Sequence, residues 1–219
     1  MSTVAPDASE DAAVGERWPR TVAARSARAH GRRTLIDLLD AAVAELTAYG
    51  YHGARMNRIA KRAGTAHGTL YLYFTDKADL LAAIYDDVNA ELEPTLLAMP
   101  ALSGDSGGYE ALRSWMADVC DAFQRNGAAL QALTDAMSED DSDGAAGTAA
   151  MRSLARTSAH IAERIREAGA SDLDPNIAAI CIWALIEGSN RSVYRGELML
   201  SRDDLVTGLT EFVRRSSSP

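Results

Sequence analysis

Apolar residues recur along this chain at the three- and four-residue spacings that place them on one face of an α-helix. The first such stretch covers residues 32–49, and Gly50 supplies the left-handed residue that commonly follows a helix. No stretch shows the alternation typical of a β-strand, so the pattern predicts an all-α protein. The first stripe consists of Leu35, Leu38, Leu39, Ala42, Val43 and Leu46.

Two short helices are predicted next, joined by a tight corner. Gly64 supplies the positive φ that the corner of a helix-turn-helix needs. The second of these helices covers about residues 67–73 and begins with small or hydrogen-bonding side chains. A slim leading edge of this kind can enter the major groove of DNA. The first helix carries its apolar stripe at Met56, Ile59, Ala60 and Ala63.

The rest of the chain predicts six more helices, which makes about nine in all. The first of the six begins near Asp76, a suitable N-cap, and should end near Glu93 because Pro94 cannot continue it. Residues 98–108 are typical of a loop and mark a domain boundary. The last five helices are expected over about residues 109–125, 128–138, 147–168, 175–194 and 202–214.

The charges divide the chain into parts of opposite sign. The net charge is −9, yet residues 16–77 carry eleven Lys and Arg against five Asp and Glu. Residues 78–219 carry eleven against twenty-three. A basic module joined to an acidic remainder favours local contact with phosphates. Chance segregation of solvated charge is the alternative.

These signals predict three regions. Residues 1–31 form an acidic, disordered start followed by a basic arm, residues 32–78 a helix-turn-helix domain, and residues 79–215 a second helical domain. The arm either lies along DNA or is a solvated tail that leads into the first helix. Arg32 and Arg33 are its better candidates for DNA contact because they adjoin the folded domain.

The helix-turn-helix segment resembles the DNA-binding part of the TetR (tetracycline-repressor-like) family of bacterial regulators. The resemblance covers residues 32–90 by motif and residues 109–215 only in architecture. It implies a homodimeric repressor that binds a pseudo-palindromic, double-stranded operator and is released by a small-molecule effector. The residues that carry it are Ile59-Ala60, Ala63-Gly64, Gly68-Thr69-Leu70-Tyr71, Phe74, Lys77 and Leu80-Leu81.

Base contacts are expected from the front of the second short helix and the start of the first, and phosphate contacts from the residues that follow. The sequence departs from the family pattern at Arg55 and Ala66, where the family often has capping hydroxyls, so Thr65 is the remaining candidate to cap the second helix. A histidine is common where Tyr73 stands. The DNA-binding candidates are Arg32, Arg33, Arg55, Asn57, Thr65, His67, Gly68, Thr69, Tyr71, Tyr73 and Lys77.

The second domain is predicted to form the dimer and to hold the effector. The segment from Ile177 to Ile186 is apolar nearly all round, so one side can face its own domain and the other a partner. With the last helix it resembles the pair that forms the four-helix dimer bundle of the family; a single intrachain core is the alternative. The effector should be hydrophobic and neutral or cationic. The candidates to line its pocket are Trp115, Met116, Phe123, Met137, Met151, Trp183, Asn190 and Tyr194; plain core packing is the alternative.

Other classes of function find no support in the sequence. No catalytic, phosphate-loop or dinucleotide motif is visible, the acidic run at 139–144 lacks the glutamate that would complete a calcium loop, and no apolar run could span a membrane. Cys120 and Cys181 are expected to be reduced and buried in a cytoplasmic protein. We therefore expect no cofactor and no metal. The rivals are a helical carrier or enzyme with a degenerate DNA-binding head, or a protein–protein module.

Overall fold

The apolar periodicities fold into helices, as predicted. The computed structural model describes residues 18–25, 29–103, 105–137, 145–169 and 173–216, and these ranges contain ten α-helices and no strand. The expected acidic start and the acidic run at 139–144 lie outside the described residues. The helices are α1 Pro19–Arg25, α2 Ala29–Gly53, α3 Met56–Arg62, α4 His67–Leu70, α5 Lys77–Leu97, α6 Ser106–Arg125, α7 Gly127–Met137, α8 Ala145–Ala168, α9 Pro175–Tyr194 and α10 Arg202–Ser216.

The described chain forms two compact units. One contains the residues up to Val88 together with those of Gln131–Thr148, and the other contains Asn89–Leu130 and the residues from Ala149 onward. The expected boundaries, at residue 78 and in the loop 98–108, therefore differ from the division that packing produces. The reason is that α5 is one continuous helix whose two halves pack into different units.

The first unit forms its core around α2. Leu35, Leu38 and Leu39 are fully buried, which confirms the predicted stripe. Gly50 interrupts the helix with φ 65° and ψ 179°, and one further helical turn reaches Gly53. This positive φ is accessible to glycine without the penalty that a side chain imposes.

Helix α5 does not stop at Pro94, contrary to the prediction. Proline removes one backbone hydrogen bond and crowds the preceding turn, but tertiary contacts hold the turn beyond it. Leu96 is 2% exposed, the Trp115 indole nitrogen donates to the Thr95 carbonyl at 2.8 Å, and the Ala98 amide donates to the Pro94 carbonyl at 3.0 Å. The helix therefore ends at Leu97.

In the second unit α6, α9 and α10 pack against one another. Helix α9 starts as predicted, because the Asp174 carboxylate accepts hydrogen bonds from the amides of Asn176 and Ile177 and Pro175 occupies the first turn. The expectation for the cysteines is half wrong: Cys120 is buried but Cys181 is exposed. No helix within the described ranges is long and apolar enough to cross a membrane.

Candidate DNA-binding surface

The corner between α3 and α4 is closed by backbone hydrogen bonds around Gly64. The Gly64 amide donates to the Lys61 carbonyl at 3.2 Å, and the Thr65 amide donates to the Ala60 carbonyl at 3.0 Å. With φ 67° at Gly64, this is the Schellman arrangement that ends a helix and redirects the chain. The predicted helix-turn-helix corner is therefore present.

Helix α4 is shorter than predicted, and buried side chains at its end and in the turn after it anchor it to the core. It ends at Leu70, and residues 71–73 continue as a turn in which the amides of Tyr73 and Phe74 both donate to the Leu70 carbonyl at 3.0 Å. Leu70 and Phe74 are buried at 0% and 1% exposure. Its N-cap is Ala66, without a side-chain hydrogen bond, so the expected cap from Thr65 is not formed.

Five of the predicted DNA contacts line one shallow depression of the first unit. Its polar lining comes from the residues before and in the first turn of α3, from α4 and the turn after it, and from the first residue of α5. Most of these side chains are exposed, and the His67 and Tyr71 rings meet edge to face at 4.9 Å. The lining residues are Ala54, Arg55, Met56, Asn57, His67, Tyr71 and Lys77.

Lys77 lies at this surface but also has a role within the protein. Its ammonium donates to the Tyr51 carbonyl at 2.7 Å and lies 4.1 Å from the Tyr51 ring centre. Burial, and then the nearby Arg55 guanidinium, lower the pKa of Lys77. An anion placed in the depression would be attracted by both cations.

Tyr73 connects the turn after α4 (residues 71–73, here called the recognition turn) to the start of α2. Its hydroxyl donates to the Gly31 carbonyl at 3.3 Å, one residue before the exposed Arg32. Arg33 is also exposed and pairs with Asp37 at 3.3 Å. The structure therefore places Tyr73 and the start of α2 side by side. Thr69 and Thr65 are half-buried and do not line the depression.

Gly68 has no neighbour among the described residues that requires a glycine at this position. A Cβ added at Gly68 would meet no atom within 4 Å, and the residue lies inside α4. A glycine within a helix costs stability relative to alanine. The open space in front of Gly68 is therefore available to a molecule that approaches the backbone closely.

Most effector candidates lie in the core of the second unit. Trp115, Met116 and Phe123 are buried, and the rings of Phe123 and Trp183 lie 6.0 Å apart. Asn190 is 1% exposed and has an unpaired Oδ1, and Tyr194 is half-buried one turn further on. Met151 is 55% exposed, so it does not lie in this core with the other candidates. The side chain of Met137 lies outside the described residues.

A buried polar stripe on α8 was missed by the sequence analysis. Ser153, Thr157, His160 and Arg164 follow helical spacing, which places them along one face. Thr157 is fully buried, and Thr157 Oγ1, His160 Nε2 and Arg164 Nε are buried without a hydrogen-bond partner. Buried polar atoms in native proteins are normally paired. The signal in the sequence was polar residues at the spacing normally occupied by core residues.

The second unit also exposes an apolar face on its last two helices. Ile177 and Ile180 are 60% and 57% exposed on α9, whereas Ile182 and Ile186 on its other side are buried. One side of the segment is therefore buried within its own domain, as predicted, and burial of the other side against a partner stays a prediction. On α10, Phe212 is 44% exposed, whereas Leu205, Leu209 and Val213 are buried.

Comparison with known proteins identifies the DNA-binding segment. Residues 38–84 match the sequence model described as bacterial regulatory proteins, tetR family. A stretch of 56 residues is 41% identical to the fatty acid metabolism regulator protein of Bacillus subtilis (strain 168). This stretch is 26% of the present chain and covers only 29% of that relative's length.

The segment of residues 38–84 is therefore similar to the DNA-binding part of the TetR family. Solved TetR-family structures share its fold beyond the DNA-binding segment. A TetR-family transcriptional regulator from Rhodococcus sp. superposes with a TM-score of 0.66 over 85% of this chain and 99% of its own, at 24% identity. The regulator FadR from Bacillus subtilis in complex with stearoyl-CoA gives a TM-score of 0.60 at 18% identity, over 83% of this chain and 98% of its own.

Proposed function

We propose that this protein is a TetR-family transcriptional regulator that binds a pseudo-palindromic DNA operator as a homodimer. The observation that carries the proposal is the depression lined by Arg55, Asn57, His67, Tyr71 and Lys77. It combines side chains that can bond base edges with cations that can meet phosphates, and it lies in the basic part of the chain. We assign no catalytic activity to the chain and propose that it acts in the cytoplasm.

The proposed dimer forms through α9 and α10. A pseudo-palindromic operator requires two reading heads related by a two-fold axis. The exposed stripe of Ile177, Ile180 and Phe212 supplies apolar surface that a second copy would bury. Ala184 and Gly188 continue the exposed side of α9 at helical spacing, and small residues there would let two helices approach closely.

The proposed effector is a small, largely hydrophobic molecule bound in the second unit. The buried aromatic and methionine residues of α6 favour an apolar body, and the unpaired atoms of Thr157, His160 and Arg164 favour a hydrogen-bonding group on it. The Bacillus FadR structure, which holds stearoyl-CoA, supports such a ligand by fold likeness. Arg164 also argues for an acceptor group, against the neutral or cationic ligand expected from charge alone.

We propose that effector binding releases the operator. A ligand shifts an equilibrium only by its differential affinity for two states, so the effector must favour a dimer that fits the operator poorly. By linkage, operator DNA must then weaken effector binding by the same factor.

The test is selection of a binding site from random duplex DNA by the purified protein, followed by titration at several salt concentrations. We expect a pseudo-palindromic site, a stoichiometry of one dimer per site and affinity that falls steeply with salt. Enrichment of no sequence, or binding independent of salt, would refute the assignment. His67→Ala should relax preference at one base pair, whereas Arg55→Ala should tell whether that arginine reads a base or a phosphate.

A further inference from the structure

The helix α1 is a folded part of the first unit rather than the basic arm or solvated tail expected from its composition. Trp18, just before it, is 1% exposed, and its indole nitrogen donates to Asp40 Oδ1 at 2.9 Å. The amides of Arg20 and Thr21 donate to the two oxygens of Asp87 at 2.7 and 3.1 Å. The Thr21 hydroxyl also donates to the Ala83 carbonyl at 3.0 Å. These bonds fix α1 on α2 and α5.

The last residue of α1, Arg25, reaches the recognition turn. Its guanidinium donates to both oxygens of Asp79, with Nη2–Oδ1 at 2.6 Å and Nη1–Oδ2 at 3.1 Å. Nη1 also donates to the Tyr73 carbonyl at 2.6 Å, and the guanidinium carbon lies 4.9 Å from the Phe74 ring centre. A bidentate arginine–carboxylate pair is both stronger and more directional than a single contact.

Asp79 transmits this contact to the start of α5. Its Oδ2 accepts from the Thr75 amide at 2.9 Å, and its own amide donates to Asp76 Oδ1 at 2.8 Å. Arg25 is therefore tied, directly or through Asp79, to the chain on both sides of the turn. Three of the DNA-binding candidates, Tyr71, Tyr73 and Lys77, lie between these points or next to them.

We propose that Arg25 is a positioning residue for operator recognition, which holds the segment from Tyr73 to Asp79 in the shape that fits DNA. The inference rests on the proposed function. Residues 18–25 lie outside the segment that matches the family model, whereas Asp79 lies inside it. Three of the five N–H donors of Arg25 are directed at Asp79 and the Tyr73 carbonyl, which favours a role within the protein over a contact with DNA.

The competing interpretation is that Arg25 contributes positive charge to phosphate binding. The two roles predict opposite results for its partner. If Arg25 bound phosphate, Asp79→Asn would release it and strengthen DNA binding. If Arg25 positions the turn, Asp79→Asn weakens operator binding, and the double variant Arg25→Gln/Asp79→Asn is no weaker than the weaker single variant.

The experiment measures affinity of the full-length dimer for its selected operator and for an unrelated duplex, over a range of salt. For Arg25→Gln we expect on the order of 10-fold weaker operator binding, because charge-assisted hydrogen bonds are lost, with little change on the unrelated duplex. Arg25→Lys should lose affinity too, because lysine keeps the charge but not the bidentate geometry. Arg113→Gln is the matched control, since it breaks the Arg113–Asp203 pair in the other unit, and it should change neither affinity.

Three outcomes would overturn the inference. Equal loss on both duplexes with a shallower salt slope would make Arg25 a phosphate contact. Stronger binding by Asp79→Asn would do the same. A lower melting temperature with unchanged operator affinity, measured where every variant is folded, would leave Arg25 only a structural role. Absence of any preferred duplex for the unaltered protein would instead refute the proposed function, which separates the two failures.

Discussion

The ring of Tyr194 lies directly against Gly127, so closely that a Cβ added to the glycine would come within 2.2 Å of the ring. The two residues join the end of α9 to the start of α7 within the second unit. Tyr194 is one turn from Asn190, whose amide donates to the Ile186 carbonyl and leaves its own oxygen unpaired. Because of this contact, position 127 requires a glycine, and this position lies next to the proposed effector region.

Gly127→Ala should therefore displace the Tyr194 ring. We expect a loss of about 1–3 kcal/mol in the free energy of unfolding, the usual cost of inserting a methyl group into filled space. Denaturant titration measures it. Tyr194→Ala removes the ring, so the double variant should lose less than the two single variants together. Additive losses would show that the ring and the glycine do not interact.

Gly68→Ala should separate folding from DNA binding. The new methyl group meets no atom of the protein, so the free energy of unfolding should rise by about 0.5–1 kcal/mol. The same methyl group occupies the space in front of α4, and operator affinity should fall. Gly107→Ala at the start of α6 is the control, because its methyl group makes only an ordinary contact and lies outside the DNA-binding unit. Unchanged operator affinity for Gly68→Ala would move the contact away from this backbone.

The proposed dimer can be tested through Cys181. Cys181 is exposed in the single chain, between Ile180 and Ala184 on the apolar side of α9, whereas Cys120 is buried and burial raises the pKa of its thiol. In the native dimer, Cys181 should react slowly with a thiol reagent. Ile180→Glu should give monomers in which Cys181 reacts quickly.

Met199→Glu is the control for that experiment. Met199 is 92% exposed but lies in the loop after α9, so this change should leave the dimer intact. Leu209→Glu is unsuitable as a test of the interface. Leu209 is 4% exposed, so the charge of the new glutamate would disrupt the core of the chain itself. A stable dimer of Ile180→Glu in sedimentation would place the interface elsewhere.

Because of the pair between Arg25 and Asp79, the free energy of unfolding should depend on pH in the acidic range. The hydrogen bonds from Arg25 lower the pKa of Asp79, with a further contribution from the Thr75 amide. A carboxylate with a lowered pKa in the folded state stabilises the fold above its unfolded pKa of about 4 and loses that effect as pH falls through the folded value. The difference in unfolding free energy between the unaltered protein and Arg25→Gln should therefore be largest near neutral pH and shrink below about pH 4. A difference independent of pH would exclude ionised Asp79 as the partner.

Thr157→Val tests the polar stripe of α8. Valine has nearly the shape of threonine but no hydroxyl, and the Thr157 hydroxyl is buried and unpaired. Without effector, the variant should be as stable as the unaltered protein or more stable, because an unmet polar group is removed. Its response to an effector found by screening should weaken. Destabilisation of the free protein would show that the hydroxyl bonds within the chain and does not await a ligand.

Local signals in the sequence predicted the parts of the fold that depend on neighbouring residues. Gly50 and Gly64 adopt the positive φ expected of them, and Asp174 caps α9. The prediction that the helix ends at Pro94 was wrong because the turn beyond it is held by Trp115, which lies twenty residues after its partner Thr95. Cys181 was expected to be buried because its neighbours are apolar, yet it lies on the exposed side of α9.

The same distinction holds for the candidate site. The motif predicted Arg55, Asn57, His67, Tyr71 and Lys77, and the structure brings these five together at one depression. The motif could not predict Arg25, because its partner Asp79 is 54 residues away and only the packed unit brings them together. The motif also could not predict the hydrogen bond from Lys77 to the Tyr51 carbonyl.

The shortness of α4 has a consequence for how such a regulator can change. Within residues 66–74 only Leu70 and Phe74 are buried, while His67, Gly68 and Tyr71 are exposed and do not contribute to the core. Substitutions at the three exposed positions can therefore accumulate without a folding penalty. Under the proposed function, a duplicated copy of this chain could acquire a new operator through a few such changes while the rest of its architecture stays intact.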